Sequence, residues 1–200
     1  MLAKRVFDLI FSSLGILLLL PLFWVVAIWI KFDSNGPIFF RQERVGKSGR
    51  KFRIFKFRTM CLDAESKGRQ ITVGEDSRIT RSGRFLRRNK MDELPQLINV
   101  FLGEMSLVGP RPEVPRYVAH YPPEVRERVL SVPPGITDYA SIEYRDESAL
   151  LAGAADPEKT YVEKVLPIKL GYYEDYALNR TLYGDLLIII RTVIVLLSSK

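Results

Sequence analysis

From Ile16 to Ile30 every position is apolar or proline, and a weaker apolar run beginning at Val6 extends the stretch. The two together reach the length of about 20 residues that a helix needs to cross a bilayer, so the pattern predicts an N-terminal helix embedded in a membrane. Asp8 interrupts the run and no small-x-small cleavage site follows Ile30, so the segment reads as retained rather than as a cleaved leader. Pro21, in the middle, removes one helical hydrogen bond and favours a bend. Basic residues flank both ends, Lys4 and Arg5 before and Lys31, Arg41 and Arg44 after, which marks neither end as the outward one. On these grounds two forms stay open: a tilted single span with a proline kink, and a re-entrant helix broken at Pro21 that returns to the face it entered.

Beyond this segment the periodicity changes. Ile38 to Gln42 and Lys51 to Arg58 read as two extended runs joined by the turn-prone Gly46-Lys-Ser-Gly49, which predicts a β-hairpin. Alternation places Phe52, Ile54 and, imperfectly, Phe55 toward the core and leaves Arg53, Lys56 and Arg58 for solvent, lipid headgroups or substrate. Helical spacing returns in two stripes. Leu166, Leu170, Tyr173 and Ala177 read as core packing, whereas Tyr183, Leu186, Leu187, Ile190, Ile194 and Leu197 read as a helix lying in a membrane interface. Asp185 and Arg191 argue against a second span, since each is costly at a bilayer centre. The expected fold class is α+β, mainly helical, with a membrane-embedded helix in residues 1–32. Residues 33–200 would form one domain with a short β-hairpin and interfacial amphipathic helices.

A chain of 200 residues suits one globular unit plus an anchor. Its net charge of +7 implies an anionic partner, which could be nucleic acid, anionic lipid or a phosphorylated substrate. Basic and aromatic interleaving in the hairpin could hold single-stranded nucleic acid, but the adjoining membrane segment makes lipid headgroups the better match. Cys61 is the only cysteine, so no disulfide forms within the chain. With His120 as the only histidine, neither a His/Cys zinc set nor a Ser-His-Asp triad is to be expected. What remains is carboxylate chemistry, with any metal hard and oxygen-bound.

The best candidate for that chemistry is the stretch Lys90 to Gly103, where the adjacent acids Asp92 and Glu93 open a predicted helix. Asp92 would be its N-cap or first residue, Pro95 would sit in the first turn and Gly103 would end it. The positive end of the dipole would favour the ionised forms, as an attacking carboxylate or a metal ligand requires; ordinary capping uses the same residues. Arginines lie on both sides. Arg84, Arg87 and Arg88 share one helical face, and Gly109-Pro-Arg-Pro112 is a stiff backbone that holds Arg111 in place. The planar fork of Arg111 suits a phosphate, with a salt bridge to Glu104 or Glu113 as the alternative. A second rigid loop, Pro133-Pro-Gly-Ile-Thr137, leads into the segment Asp138 to Glu147, which contains Arg145.

Taken together, Phe40-Arg-Gln-Glu-Arg-Val-Gly46, Phe55-Lys-Phe-Arg-Thr-Met60, Asp76 to Arg87, Asp92-Glu-Leu-Pro-Gln-Leu97, Gly103 to Glu113 and Pro134-Gly-Ile-Thr137 resemble the bacterial sugar transferases in kind and order. These are monotopic phosphoglycosyl transferases that start glycan assembly on polyprenyl phosphate. The resemblance implies transfer of a sugar 1-phosphate from a UDP-sugar to polyprenyl (undecaprenyl) phosphate through an adduct on Asp92, with release of UMP. It implies Mg²⁺ held by Glu93 and Asp92, and substrate phosphate bound by Arg87, Arg111 and Arg145. Arg87 stands at the family position five residues before the aspartate, and Arg145 matches the family arginine, while Asp138 replaces the more usual glycine. The resemblance also favours the re-entrant helix, with its break at Pro21 and both termini on the cytoplasmic face of a bacterial inner membrane. Its implied partners are the UDP-sugar, polyprenyl phosphate and membrane lipid, with no nucleic acid. Two other classes account for parts of the pattern: a non-enzymatic membrane scaffold explains charge and anchor but not the acid pair, and a membrane-tethered nucleic-acid-binding protein would use Arg78 to Lys90 as its basic helix.

Overall fold

The apolar N-terminal run forms one helix, α1 (Leu2–Asp33), in a computed structural model that describes residues 2–62, 64, 76–145 and 147–198. Pro21 lies inside α1, so the expected break is not an interruption of the helix. The missing N–H costs one hydrogen bond, and packing holds the helix on both sides of it. Before Pro21, Gly15 lies against Leu97; after it, Phe23, Val26 and Ile30 are buried with Phe57 and Leu86. Leu17, Leu18, Trp24, Val25, Ile28 and Phe32 point away and stay exposed.

Both ends of α1 are tied to the same body. Near its start, the Arg5 guanidinium donates to the carbonyls of Val100 and Phe101 at 2.6 and 2.8 Å, and Lys4 pairs with Asp185 at 2.6 Å. Asp8, which breaks the apolar pattern in sequence, is buried and accepts from Ser106 Oγ and Leu107 N–H at 3.1 and 3.0 Å. At the far end, Asp33 accepts from the N–H and hydroxyl of Ser82 at 2.8 and 2.7 Å. Arg58 closes the C-terminus of α1 by donating to the carbonyls of Ser34 and Asn35. This buried position of Arg58 departs from the one facing solvent, lipid headgroups or substrate that strand alternation predicts, because orphan carbonyls at a helix end attract a cation.

The hairpin pairs β1 (Phe39–Val45) with β2 (Lys51–Phe57), antiparallel, with Phe39 opposite Phe57 and Val45 opposite Lys51. Phe52 and Ile54 are buried as alternation requires, while Phe55 is half-buried beneath the Arg41 guanidinium. Helix α2 (Arg81–Arg88) begins at Thr80, whose hydroxyl accepts from Gly83 N–H. A Cβ at Gly83 would stand 2.1 Å from the carbonyl oxygen of Thr59, so α2 lies on that backbone only because position 83 has no side chain. Substitution Gly83→Ala is expected to cost about 1 to 3 kcal/mol by overpacking, read as a lower midpoint of thermal unfolding in detergent; an unchanged midpoint would remove this account of the contact.

Helix α3 (Gln96–Leu102) ends at Gly103 in the left-handed conformation and crosses the hairpin. Asn99 fastens it there, accepting from Phe55 N–H and donating to the carbonyl of Arg53. Strands β3 (Ser106–Val108) and β4 (Gly135–Thr137) form a small parallel pair. A Cβ at Gly135 would fall 2.1 Å from the nitrogen of Gly109, which fixes glycine at this second backbone crossing.

Short helices α4 (Pro115–Val118), α5 (Pro123–Leu130), α6 (Tyr139–Glu143), α7 (Glu147–Ala152) and α8 (Pro157–Thr160) follow the β3 loop and wrap the longer α9 (Leu166–Asn179). The first three residues of the predicted core stripe, Leu166, Leu170 and Tyr173, are buried in the main apolar cluster with Tyr117, Val129 and Tyr161. The last helix, α10 (Leu182–Ser198), buries Asp185 and Ile188 and exposes Tyr183, Leu186, Ile190, Ile194 and Leu197. Asp185 is accommodated by Lys4 and by the phenol of Tyr176, which donates to it at 2.8 Å.

Candidate active site

The acid pair stands just ahead of α3. Met91–Glu93 is a single 3₁₀ turn, entered through Lys90 in the left-handed conformation with φ of 54°. Pro95 lacks the N–H needed to carry an α-helix back through this turn, so Leu94 N–H bonds to the Met91 carbonyl and α3 starts only at Gln96. The acids therefore precede the predicted first turn rather than occupying it.

The two carboxylates have opposite surroundings. Arg111 grips Glu93 through both terminal nitrogens, one bond measuring 3.0 Å, and Lys56 Nζ donates to the same carboxylate at 2.6 Å. Burial alone would raise the Glu93 pKa, but the Arg111 and Lys56 charges and hydrogen bonds outweigh it and hold the group well below the usual range. Asp92 is more deeply buried, and among the described residues no hydrogen bond secures its carboxylate. Burial, and then the charge of Glu93, push its pKa up against the pull of Lys56, Arg87 and Lys90. The expectation that the helix end favours both ionised forms thus fails for Asp92, because desolvation exceeds what a turn end supplies. One carboxylate is locked in an ion-pair network, and its neighbour is left with open lone pairs.

Arg111 comes from the loop after β3, where the stiff Pro110 and Pro112 flank it and Gly135 N–H donates to the Pro110 carbonyl at 2.9 Å. Its partner is Glu93 rather than Glu104 or Glu113. Arg87 turns inward from α2 while Arg84 and Arg88 stay exposed; its Nε donates to Thr59 Oγ1 at 2.8 Å and its charge acts on both Asp92 and Glu93. Among the described residues no hydrogen bond or ion pair joins the Arg145 side chain to the acid pair; it donates to the carbonyl of Val195 in α10 at 2.8 Å, while the Arg145 carbonyl accepts from Lys90 Nζ at 3.3 Å. Asp138 caps α6 by accepting from Ser141, and Asp146 lies outside the described residues. Lys56 was legible only as a strand cation with several possible outlets; its pairing with Glu93 spans 37 positions and carries no local signal.

A cavity of about 660 Å³ opens beside Glu93 and Arg111. Its polar end holds Gln42, Arg44, Glu113, Tyr161 and Lys169, and its apolar wall is built from Phe7 and Phe11 of α1, Leu94 and Leu97, and Leu186, Ile189 and Val193 of α10. The arrangement suits a ligand with an anionic centre, a polar portion and a hydrocarbon portion. For a cation the site offers hard carboxylate oxygens only; among the described residues no group of three or more His, Cys, Asp and Glu gathers. Mg²⁺ commonly takes one or two carboxylates and completes its shell with substrate phosphates and water; here the Asp92 oxygens are open to a cation, whereas those of Glu93 are held by Arg111 and Lys56.

Comparison with known proteins places this geometry in context. The model of the family described as bacterial sugar transferase matches residues 1–199. Over 197 residues the chain is 38% identical to UDP-N-acetylgalactosamine-undecaprenyl-phosphate N-acetylgalactosaminephosphotransferase of Aeromonas hydrophila, covering 98% of this chain and 44% of that protein. It is 38% identical over 202 residues to UDP-glucose:undecaprenyl-phosphate glucose-1-phosphate transferase of Xanthomonas campestris pv. campestris, covering 99% of this chain and 39% of the relative. A protein of the same description from Caulobacter vibrioides is 37% identical over 201 residues and is covered to 71% of its length. The chain thus spans less than half of the Aeromonas and Xanthomonas proteins and most of the Caulobacter one.

Proposed function

The chain belongs to the bacterial sugar transferase family, and from that premise we propose that it moves a sugar 1-phosphate from a UDP-sugar to undecaprenyl phosphate. The observation that carries this reading is the pair of unlike carboxylates, Asp92 open and Glu93 ion-paired, beside a cavity that Glu93 and Arg111 line together with apolar side chains of α1 and α10. Asp92 attacks the phosphorus that bears the sugar; a bond forms from its Oδ to phosphorus, the bond to the UMP oxygen breaks, and UMP leaves with that electron pair. A phosphate oxygen of the lipid acceptor then attacks the same phosphorus and displaces Asp92, yielding the polyprenyl diphosphate sugar and a free carboxylate. A carboxylate nucleophile needs no base, in keeping with the lack of a histidine at the site. Arg111, Lys56 and Arg87 supply the positive charge against which two anions can approach. When bound by Asp92 and Glu93, Mg²⁺ would add Lewis-acid stabilisation of phosphoryl oxygens.

The proposal extends to the membrane. α1 is about 48 Å long at 1.5 Å per residue, yet contacts at Asp8 and Asp33 engage the same body. A span across about 30 Å of hydrocarbon would put those two residues on opposite faces and break one set of contacts. This supports a monotopic helix with both ends on the cytoplasmic side, its exposed apolar face in lipid and α10 at the interface.

The test is nucleotide release from a panel of UDP-sugars by purified protein with Mg²⁺ and undecaprenyl phosphate. Acceptor-dependent UMP is expected, and the active donor identifies the sugar. Release of UDP, or of nothing across the panel, would overturn the proposal.

A further inference from the structure

Beyond Arg111 the same cavity continues into a buried polar network that the transfer steps leave unused. Glu113 follows Arg111 by two positions and is 7% exposed; its Oε1 accepts from the Tyr161 phenol at 2.6 Å. Lys169 is 3% exposed and donates to Glu147 Oε2 at 2.8 Å and to Tyr161 Oη at 3.4 Å, with Glu113 3.8 Å away. These groups come from the loop after β3, from α7, from the turn Tyr161–Val165 and from α9, and all four line the cavity that holds Glu93 and Arg111. Four separate segments converge a buried lysine, two carboxylates and a phenol on open volume.

Stability gives a weak reason for such a cluster, since replacing a buried ion network by well-packed apolar residues is often neutral or favourable. Recognition gives a stronger one. Carboxylates accept from neighbouring hydroxyls, and a lysine flanked by acceptors has a donor to spare for a hydroxyl or ring oxygen. A pyranose presents that pattern, and a polar site rejects a sugar that leaves its groups unpaired far more sharply than an apolar pocket does. Position agrees with chemistry: the sugar is bonded to the phosphorus that Asp92 attacks, so its subsite must adjoin the acid pair, and the network lines the cavity that Glu93 and Arg111 also line.

We propose that Glu113, Glu147, Tyr161 and Lys169 form the donor-sugar subsite, reading hydroxyls of the transferred sugar; this rests on the phosphosugar-transfer reading above. The experiment uses the Asp92→Asn protein, in which chemistry is blocked, and measures binding of the active UDP-sugar and of UMP by calorimetry. Lys169→Met and Glu147→Gln are each expected to weaken the UDP-sugar by tenfold or more while UMP affinity stays within twofold. In the otherwise wild-type enzyme, Glu147→Gln is also expected to change the ratio of kcat/KM between epimeric donors by about tenfold. Unaltered UMP binding doubles as the check of folding; should Lys169→Met fail to fold, the half-exposed Glu147→Gln decides. Equal weakening of UMP and UDP-sugar would assign the network to the uridine or to the scaffold, and no weakening would remove it from the site; either result overturns the proposal. Failure of the transfer reading itself shows in the wild-type protein, as absent UMP release, and is thereby distinguished from failure of the subsite.

Discussion

Replacing Asp92 by asparagine is expected to lower UMP release by a factor on the order of 10⁴ or more, because it removes the proposed nucleophile, while leaving the fold as stable as before or slightly more so. The two halves of this expectation have one cause. Burial and the neighbouring Glu93 raise the Asp92 pKa, so ionising it costs folded-state free energy. For a carboxyl whose folded pKa lies above its unfolded one, that cost sets in as pH rises past the unfolded value and is complete above the folded value. An uncharged amide of the same shape escapes it at neutral pH. In the proposed mechanism the reactive form is the carboxylate, so the acid limb of the wild-type rate should lie above the ordinary aspartate range, with activity lost as pH falls through the raised pKa. Single-turnover UMP release against pH, together with thermal unfolding of Asp92→Asn, checks both halves. An asparagine variant that keeps wild-type turnover would end the nucleophile assignment, and one that is inactive only because it unfolds would contradict the account of why this carboxylate is reactive.

Sequence legibility followed the range of the interaction. Hydrophobic spacing revealed α1, the hairpin and both C-terminal helices, because each is written in residues two to four positions apart. The turn around Asp92 was legible in part: Pro95 and Gly103 act as expected, but the left-handed Lys90 and the 3₁₀ turn that carries both acids leave no period to detect. Arg87 was singled out from its helical neighbours by resemblance alone; the physical reason is the absence of a side chain at Gly83, which seats α2 against Thr59 and turns that one arginine inward. Asp8 looked like a flaw in an apolar run until Ser106 and Leu107, almost a hundred residues on, were found to satisfy it. Lys56, Glu113 and Lys169 were illegible for the same reason: their partners are distant in the chain, and a lone charge in sequence reads first as a solvated one.

The second large effect concerns the lock on Glu93. Arg111→Ala leaves that half-buried carboxylate with Lys56 as its one remaining ion-pair partner among the described residues. Breaking one side of a half-buried ion pair is expected to cost about 3 kcal/mol, which for a chain of this size lowers the unfolding midpoint by roughly 6 to 12 °C. Losing the fork proposed to bind the donor's phosphates should in addition slow transfer by a factor on the order of 10² to 10³. Glu93→Gln alone should also destabilise, for the complementary reason that Arg111 and Lys56 lose the anion between them. In the double variant no crowded pair of cations remains and Lys56 alone lacks its anion, so its loss of midpoint should be smaller than the sum of the two single losses while its activity stays as low. Midpoints that simply add would show that the three charges act separately and that Glu93 does not organise them. A coupled result fits a site in which Glu93 holds two cationic donors in place until a diphosphate arrives to compete for them, so that the charge stabilising the fold in the free enzyme becomes charge available to the reaction.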